Sequence, residues 1–173
     1  MTRAGLFRND NENTMTPLVR TRLYFLLSYV CFGLVAFALW LQHVEQLAPC
    51  PLCILQRYAF VGAGVFFLLS GLFGGPLARS GLWAAGLVAA LGAAVAGRHV
   101  YVLYNPSVSC GLDPVEDFVN SLPPAQWLPQ AFFADGTCGA KLPPILGLDI
   151  PEWSLLWLVV LTAVAVLLSL RRT

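Results

Sequence analysis

Ala48-Pro49-Cys50-Pro51-Leu52-Cys53-Ile54-Leu55-Gln56-Arg57, with the apolar run that continues from Ile54 to Phe73, decides how the chain folds. A bilayer-crossing helix takes roughly 17–25 predominantly apolar residues. The run from Ile54 to Phe73 meets that requirement, and a pair of cysteines stands at its start. Three further runs qualify: Leu23–Leu41, Leu82–Leu103 and Trp153–Leu170. The 173 residues are 58% hydrophobic and 11% charged. A soluble domain carries about 25% charged residues, so an ordinary soluble fold is excluded. A net charge of +1 gives no case for nucleic acid. The first run is longer than the core of a secretory signal and has no small-residue cleavage site after it. It therefore reads as a retained span. The expected fold is an all-α membrane protein: a four-transmembrane-helix antiparallel bundle. Residues 20–173 form one domain, preceded by a disordered tail over 1–19.

Charge placement orients the bundle. Arg3, Arg8, Arg20, Arg22, Arg79, Arg171 and Arg172 fall on the side of the termini, which the positive-inside rule makes cytoplasmic. Seven of the nine acids, from Glu45 to Glu152, fall on the other side. The short turn Gly74–Ser80 is then cytoplasmic. The loops 42–53 and 105–152 are external, which in a bacterial inner membrane means periplasmic. Cys50, Cys53, Cys110 and Cys138 all lie on this external side, where disulfides persist. Cys31 lies inside the first span and reads as an inert, small apolar residue. His43 reads as a solvated loop histidine.

The long external loop holds eight prolines from Pro106 to Pro151. Asp113-Pro114-Val115-Glu116 has the form of a helix start, with Asp as N-cap and Pro at the first helical position. Val115, Phe118, Val119 and Leu122 follow at helical spacing and make one apolar face. That face, with Trp127 and Leu128, either lies on the membrane surface or packs onto the top of the bundle. Glycines in the second and third spans suit close helix packing.

The C-x-x-C pair could be redox-active, metal-binding or a static staple. Pro51 suits the first helical position, which makes Cys50 the N-cap and puts Cys53 in the first turn. Free N–H groups and the positive dipole end favour an anion there, so a Cys53 thiolate is stabilised. Arg57 lies one turn deeper on the same face. It could stabilise that thiolate, donate to an oxygen-bearing head group, or snorkel to the interface. Arg98 and His99 end the third span at the same level. Either could donate to a second oxygen of the same ligand, or offset the helix dipole. Cys110 and Cys138 could form a structural disulfide or the second half of a thiol–disulfide relay. Four-cysteine zinc binding is disfavoured, because the second pair lacks tight ligand spacing.

Taken in order, these features resemble the DsbB family of membrane disulfide-generating oxidases. The carriers are the four spans, Pro-Cys-x-x-Cys at the second span, Arg57 four residues later, and a cysteine pair in a Pro- and Trp-rich second loop. The strings Gln126-Trp127-Leu128-Pro129-Gln130, Asp135-Gly136-Thr137-Cys138 and Leu146-Gly147-Leu148 with Pro151-Glu152-Trp153 add to them. The resemblance implies a cycle. A thioredoxin-like periplasmic oxidase similar to DsbA would attack a Cys110–Cys138 disulfide at Cys110. Cys138 would then exchange with Cys50–Cys53 at Cys50. Cys53 would meet a non-covalently bound quinone, ubiquinone or menaquinone, near Arg57. A histidine of the family's third span holds the quinone; here Arg98 or His99 takes that place. Pro51-Leu52 inside the motif departs from the Val-Leu version and should alter redox poise more than mechanism. A vitamin-K-epoxide-reductase-like oxidoreductase would carry its C-x-x-C late in the chain. A non-enzymatic scaffold with two structural disulfides would leave Arg57 unexplained.

Overall fold

The computed structural model describes residues 16–105, 112–138 and 144–170. Among them the regular structure is helical. It comprises α1 (Pro17–Val44), α2 (Pro51–Leu72), α3 (Gly75–Tyr104), the short α4 (Leu112–Ser121), α5 (Pro123–Trp127) and α6 (Pro129–Phe132), and α7 (Ile150–Leu170). Helices α1, α2, α3 and α7 are long and apolar enough to cross a membrane. At 1.5 Å per residue even α7, with 21 residues, extends about 32 Å, enough for a hydrocarbon core of about 30 Å. The protein is a multi-pass, all-α membrane bundle.

The helices outrun the apolar stretches, because proline opens three of them before the hydrophobic residues begin. Pro17, Pro51 and Pro76 sit in the first turns of α1, α2 and α3, where a missing N–H costs nothing. Residues 17–19 therefore belong to α1 and not to the tail; residues 1–15 lie outside the described residues. The first connection shrinks from 42–53 to 45–50. The reversal expected over Gly74–Ser80 takes only Phe73 and Gly74. At α7, the Glu152 carboxylate accepts the Asp149 N–H at 2.8 Å and the Tyr104 hydroxyl at 2.9 Å, tying the helix start to the end of α3. A tight turn, Ile145–Leu148, precedes it, and Trp153 Nε1 donates to the Ile145 carbonyl at 2.9 Å.

Helix α2 packs between α1 and α3, and α3 packs on α7. Phe67, Leu82, Leu158 and Leu161 fill the centre, with Ala63, Ala85, Ala89 and Ala165 keeping the backbones close. The approach is close at Gly92. A methyl group there would overlap the Ala59 side chain and come within 3.1 Å of Leu158. Cys31 is fully enclosed in this core as a free thiol. Outward faces carry Leu26, Leu87 and Val159, exposed to the lipid.

The α4 face divides the two roles read for it. Val119 is 0% exposed against Ile54 and Ala134, with Val115 beside it. Phe118, Trp127 and Leu128 stay exposed at 58%, 78% and 60%. One side of the segment therefore packs onto α2, while the other offers apolar surface at the level of the helix ends. Tyr58 of α2 stacks on Phe132 with ring centroids 4.9 Å apart, holding α6 down as well.

Candidate thiol redox site

Cys50 is the N-cap of α2, and its Sγ accepts the Cys53 N–H at 3.3 Å. Proline at the next position fixes this geometry, since it starts the helix without needing a donor partner. The two sulfurs lie 2.9 Å apart, with the Cys50 thiol donating to Cys53. Closing them to a disulfide of about 2.04 Å needs a shift of less than about 1 Å. That hydrogen bond, and then burial, push the Cys50 thiol well above its ordinary value.

His99 of α3 reaches across to this pair. Its Nε2 lies 3.7 Å from Cys50 Sγ, and its Nδ1 lies 4.0 Å from Cys53 Sγ. Gln56 Nε2 stands 3.1 Å from His99 Nδ1. With the amide donating, Nδ1 is the acceptor and the ring proton sits on Nε2, facing Cys50. Both Gln56 and His99 are buried, at 4% exposure each. The donor atoms of Cys50, Cys53 and His99 all lie within 4.8 Å of one another, close enough to share a cation.

Arg57 is 7% exposed, so it does not snorkel. Its Nη1 donates to the Ala131 carbonyl at 2.6 Å, and its Nη2 donates to Gln42 Oε1 at 2.8 Å. The loop over the bundle supplies the first acceptor and α1 the second. Gln42 in turn donates to the Gln130 carbonyl at 3.0 Å. A buried guanidinium is costly unless its donors are met; this arrangement meets two of them and leaves further N–H groups for a ligand.

All of these side chains border one cavity of about 430 Å³, within the range of small-molecule sites. Leu34, Val35, Phe37, Phe60 and Trp157 line its apolar part. Gln42, Cys50, Cys53, Gln56, Arg57, His99 and Cys138 border it too. Cys138 also shares a buried apolar cluster with Cys50, Leu52 and Val102. It is engaged in a disulfide, whereas Cys50 and Cys53 are free thiols.

The structure thus brings together Cys50, Cys53, Arg57, His99 and Cys138. Cys110 lies outside the described residues. Of the two candidates at the end of α3, Arg98 is not at the site. It is exposed and lies over the Tyr101 ring, 5.7 Å from its centroid; adjacent residues on a helix diverge by about 100°, so only His99 can face α2. His43 completes the last turn of α1, its Nδ1 2.7 Å from the Leu39 carbonyl oxygen. Gln42 and Gln56 escaped the reading of the sequence. Their signal was present: each is an amide within or at the edge of an apolar span, where polar groups need partners.

Comparison with known proteins shows the family. The family model described as disulfide bond formation protein DsbB matches residues 20–168. A disulfide bond formation protein B of Ralstonia nicotianae is 54% identical over 155 residues, covering 88% of this chain and 96% of the relative. One of Cupriavidus pinatubonensis is 50% identical, covering 88% and 94%. One of Burkholderia pseudomallei is 45% identical over 163 residues, covering 94% and 96%. The chain belongs to the DsbB family of disulfide bond formation proteins.

Proposed function

We propose that this protein is a protein-dithiol:quinone oxidoreductase of the bacterial inner membrane. It reoxidises a DsbA-like, thioredoxin-fold periplasmic oxidase and passes the electrons to the membrane quinone pool, ubiquinone or menaquinone. One observation carries the reading: the Cys50–Cys53 pair opens onto an apolar cavity that also contains Arg57 and His99 and borders Cys138. Six of the seven arginines that orient the bundle flank the helix ends opposite the cysteines or the termini beside them, and Arg79 follows the α2–α3 turn. That supports cytoplasmic termini and periplasmic cysteines.

The cavity suits a flat, lipid-soluble head group with a carbonyl oxygen. Its walls are apolar and aromatic, and its polar groups gather beside the cysteines. Arg57 would hold a carbonyl oxygen through its remaining N–H groups. When bound, a quinone supplies a two-electron, two-proton acceptor for the Cys50–Cys53 dithiol. The chain's own residues do the rest. A reduced partner opens the Cys110–Cys138 disulfide by thiolate attack at Cys110. Cys138 then attacks Cys50, and Cys53 leaves as a thiolate at the helix N-terminus, where the free N–H groups stabilise it. The partner's second thiolate displaces Cys110 and the partner leaves oxidised. Cys110 retakes Cys138, which frees Cys50 as a thiolate, and His99 Nε2–H, 3.7 Å away, can give that sulfur a proton. The apolar walls keep water from the exchange.

The test is a two-sided assay with the full-length protein in nanodiscs, reduced thioredoxin-fold oxidase and a short-chain ubiquinone. Partner thiols and quinone should be consumed one dithiol to one quinone. Cys50→Ser and Cys53→Ser should each abolish turnover. Full turnover in either variant, or partner oxidation without quinone loss, would refute the reading.

A further inference from the structure

The loop that carries Cys138 is fastened to the C-x-x-C motif by its backbone. The Asp135 N–H and the Gly136 N–H both donate to the Pro49 carbonyl, at 3.2 and 3.1 Å. Pro49 immediately precedes Cys50, and Gly136 stands two residues before Cys138. The approach leaves no room for a side chain. A Cβ at Gly136 would overlap the Ala48 carbonyl oxygen, lie 2.6 Å from the Ala48 carbonyl carbon and lie 3.1 Å from that of Pro49. All three are backbone atoms, so no rotamer change relieves the clash.

A second fastening holds the same segment from the other side. Asn120 of α4 donates through Nδ2 to the Ala134 carbonyl at 2.9 Å, and its Oδ1 accepts the Ala134 N–H at 2.8 Å. Ala134 is fully buried against Ile54 and Val119. The segment 134–136 is therefore held between α4 and the approach to α2. Cys138 follows directly, packed with Cys50.

We infer that Gly136 is a positioning residue for exchange between the two loops: its lack of a Cβ lets the 135–136 backbone clasp Pro49, and the clasp seats Cys138 against Cys50. The inference rests on the relay proposed above. In that step the Cys138 thiolate attacks Cys50 Sγ. The Cys138–Cys50 bond forms, the Cys50–Cys53 bond breaks, and Cys53 departs with the electron pair. No external oxidant is needed. A thiolate held at its target reacts as an intramolecular neighbour, and displacement of about 1 Å can cost about a hundredfold in rate.

The experiment measures proximity apart from turnover. In full-length protein carrying Cys53→Ser and Cys110→Ser, mild oxidation should join Cys50 to Cys138, read by peptide mass spectrometry. Adding Gly136→Ala should slow this bond by at least about tenfold. Asn120→Ala should slow it less, and Asn120→Asp, which keeps the acceptor for the Ala134 N–H, should recover part of the loss. In the native-cysteine chain, Gly136→Ala should take one electron pair from the reduced partner at the normal rate. It should then stall with Cys50–Cys53 still oxidised. An unchanged cross-linking rate in Gly136→Ala would overturn the inference, as would equal loss of the first and second steps. Should Gly136→Ala not fold, Asn120→Ala decides in the same way. Failure of quinone reduction in the unaltered protein would remove the proposed function and leave the cross-linking result standing.

Discussion

His99 presents one ring nitrogen to each cysteine of the motif: Nε2 lies 3.7 Å from Cys50 Sγ and Nδ1 lies 4.0 Å from Cys53 Sγ. Gln56 fixes which nitrogen carries the proton, by approaching Nδ1 at 3.1 Å. The imidazole is therefore bound to the thiols as well as to the cavity. That placement supports the proposed role in moving protons at sulfur, beside any contact with a ligand.

Replacing His99 by alanine should lower turnover by about a hundredfold, the scale of a lost acid–base group. Gln56→Leu should lower it less and should displace the pH profile of turnover, because the tautomer is no longer fixed. Arg98→Ala, one residue away on the exposed face, should leave turnover within about twofold, as surface changes do. Steady-state rates across pH 5.5–8.5 would check all three. Equal losses in His99→Ala and Arg98→Ala would contradict the geometry.

Arg57 holds the loop through Ala131 and α1 through Gln42. Arg57→Ala removes the donor to two part-buried acceptors, the Ala131 carbonyl and Gln42 Oε1, each costing at most about 1–3 kcal/mol. The thermal midpoint in detergent should fall, and the apparent KM for quinone should rise at least about tenfold, one lost charged hydrogen bond. Arg57→Lys keeps the charge but cannot span both acceptors, so it should fall between. A lowered midpoint with an unchanged KM would reduce Arg57 to a clamp for the loop.

Much of this site was legible because helix geometry is local. Pro51 placed Cys50 at the cap, and a four-residue spacing placed Arg57 under Cys53. What escaped depends on contacts distant in the chain. Whether Arg98 or His99 faced α2 turned on the rotation of α3, which a uniformly apolar helix rich in alanine and glycine does not reveal. The burial of Arg57 depended on Ala131, 74 residues away, and a backbone carbonyl leaves no mark in the sequence. The division of α4 into a packed and an exposed side was hidden for a related reason: Val119 and Phe118 are both apolar, and only the position of Ile54 separates them.

The Cys50 thiol is raised, first by its hydrogen bond to Cys53 and then by burial. An ordinary cysteine titrates near about 8.5. In the fully reduced protein, alkylation of Cys50 by iodoacetamide should therefore keep rising with pH beyond about 9, with no plateau near the ordinary value. The sign for stability follows. A fold that favours the neutral thiol gains from it fully below the unfolded value of about 8.5, and loses that gain as pH rises above it. The reduced protein should thus lose thermal stability above about pH 8.5 more steeply than a Cys50→Ser variant. A Cys50 labelling profile with its midpoint near 8.5 would contradict this environment.

Gly92 tests whether the bundle that carries the site depends on close backbone approach. A methyl group at that position overlaps Ala59 of α2 and presses on Leu158 of α7, so one change disturbs three of the four spans. Gly92→Ala should destabilise by about 1–3 kcal/mol, the usual cost of overpacking. Gly97 is the matched control: it lies on the same helix with nothing within 4 Å of its would-be Cβ. Gly97→Ala should be neutral or stabilising by up to about 1 kcal/mol, from helix propensity alone. Thermal unfolding of both variants in one detergent separates the two effects. Helix α3 holds His99 as well as Gly92, so Gly92→Ala should also weaken the contact of His99 with the thiols. Its turnover at low temperature should fall while Gly97→Ala turns over normally. Equal melting midpoints for the two variants would show that α2, α3 and α7 can part at Gly92 without cost.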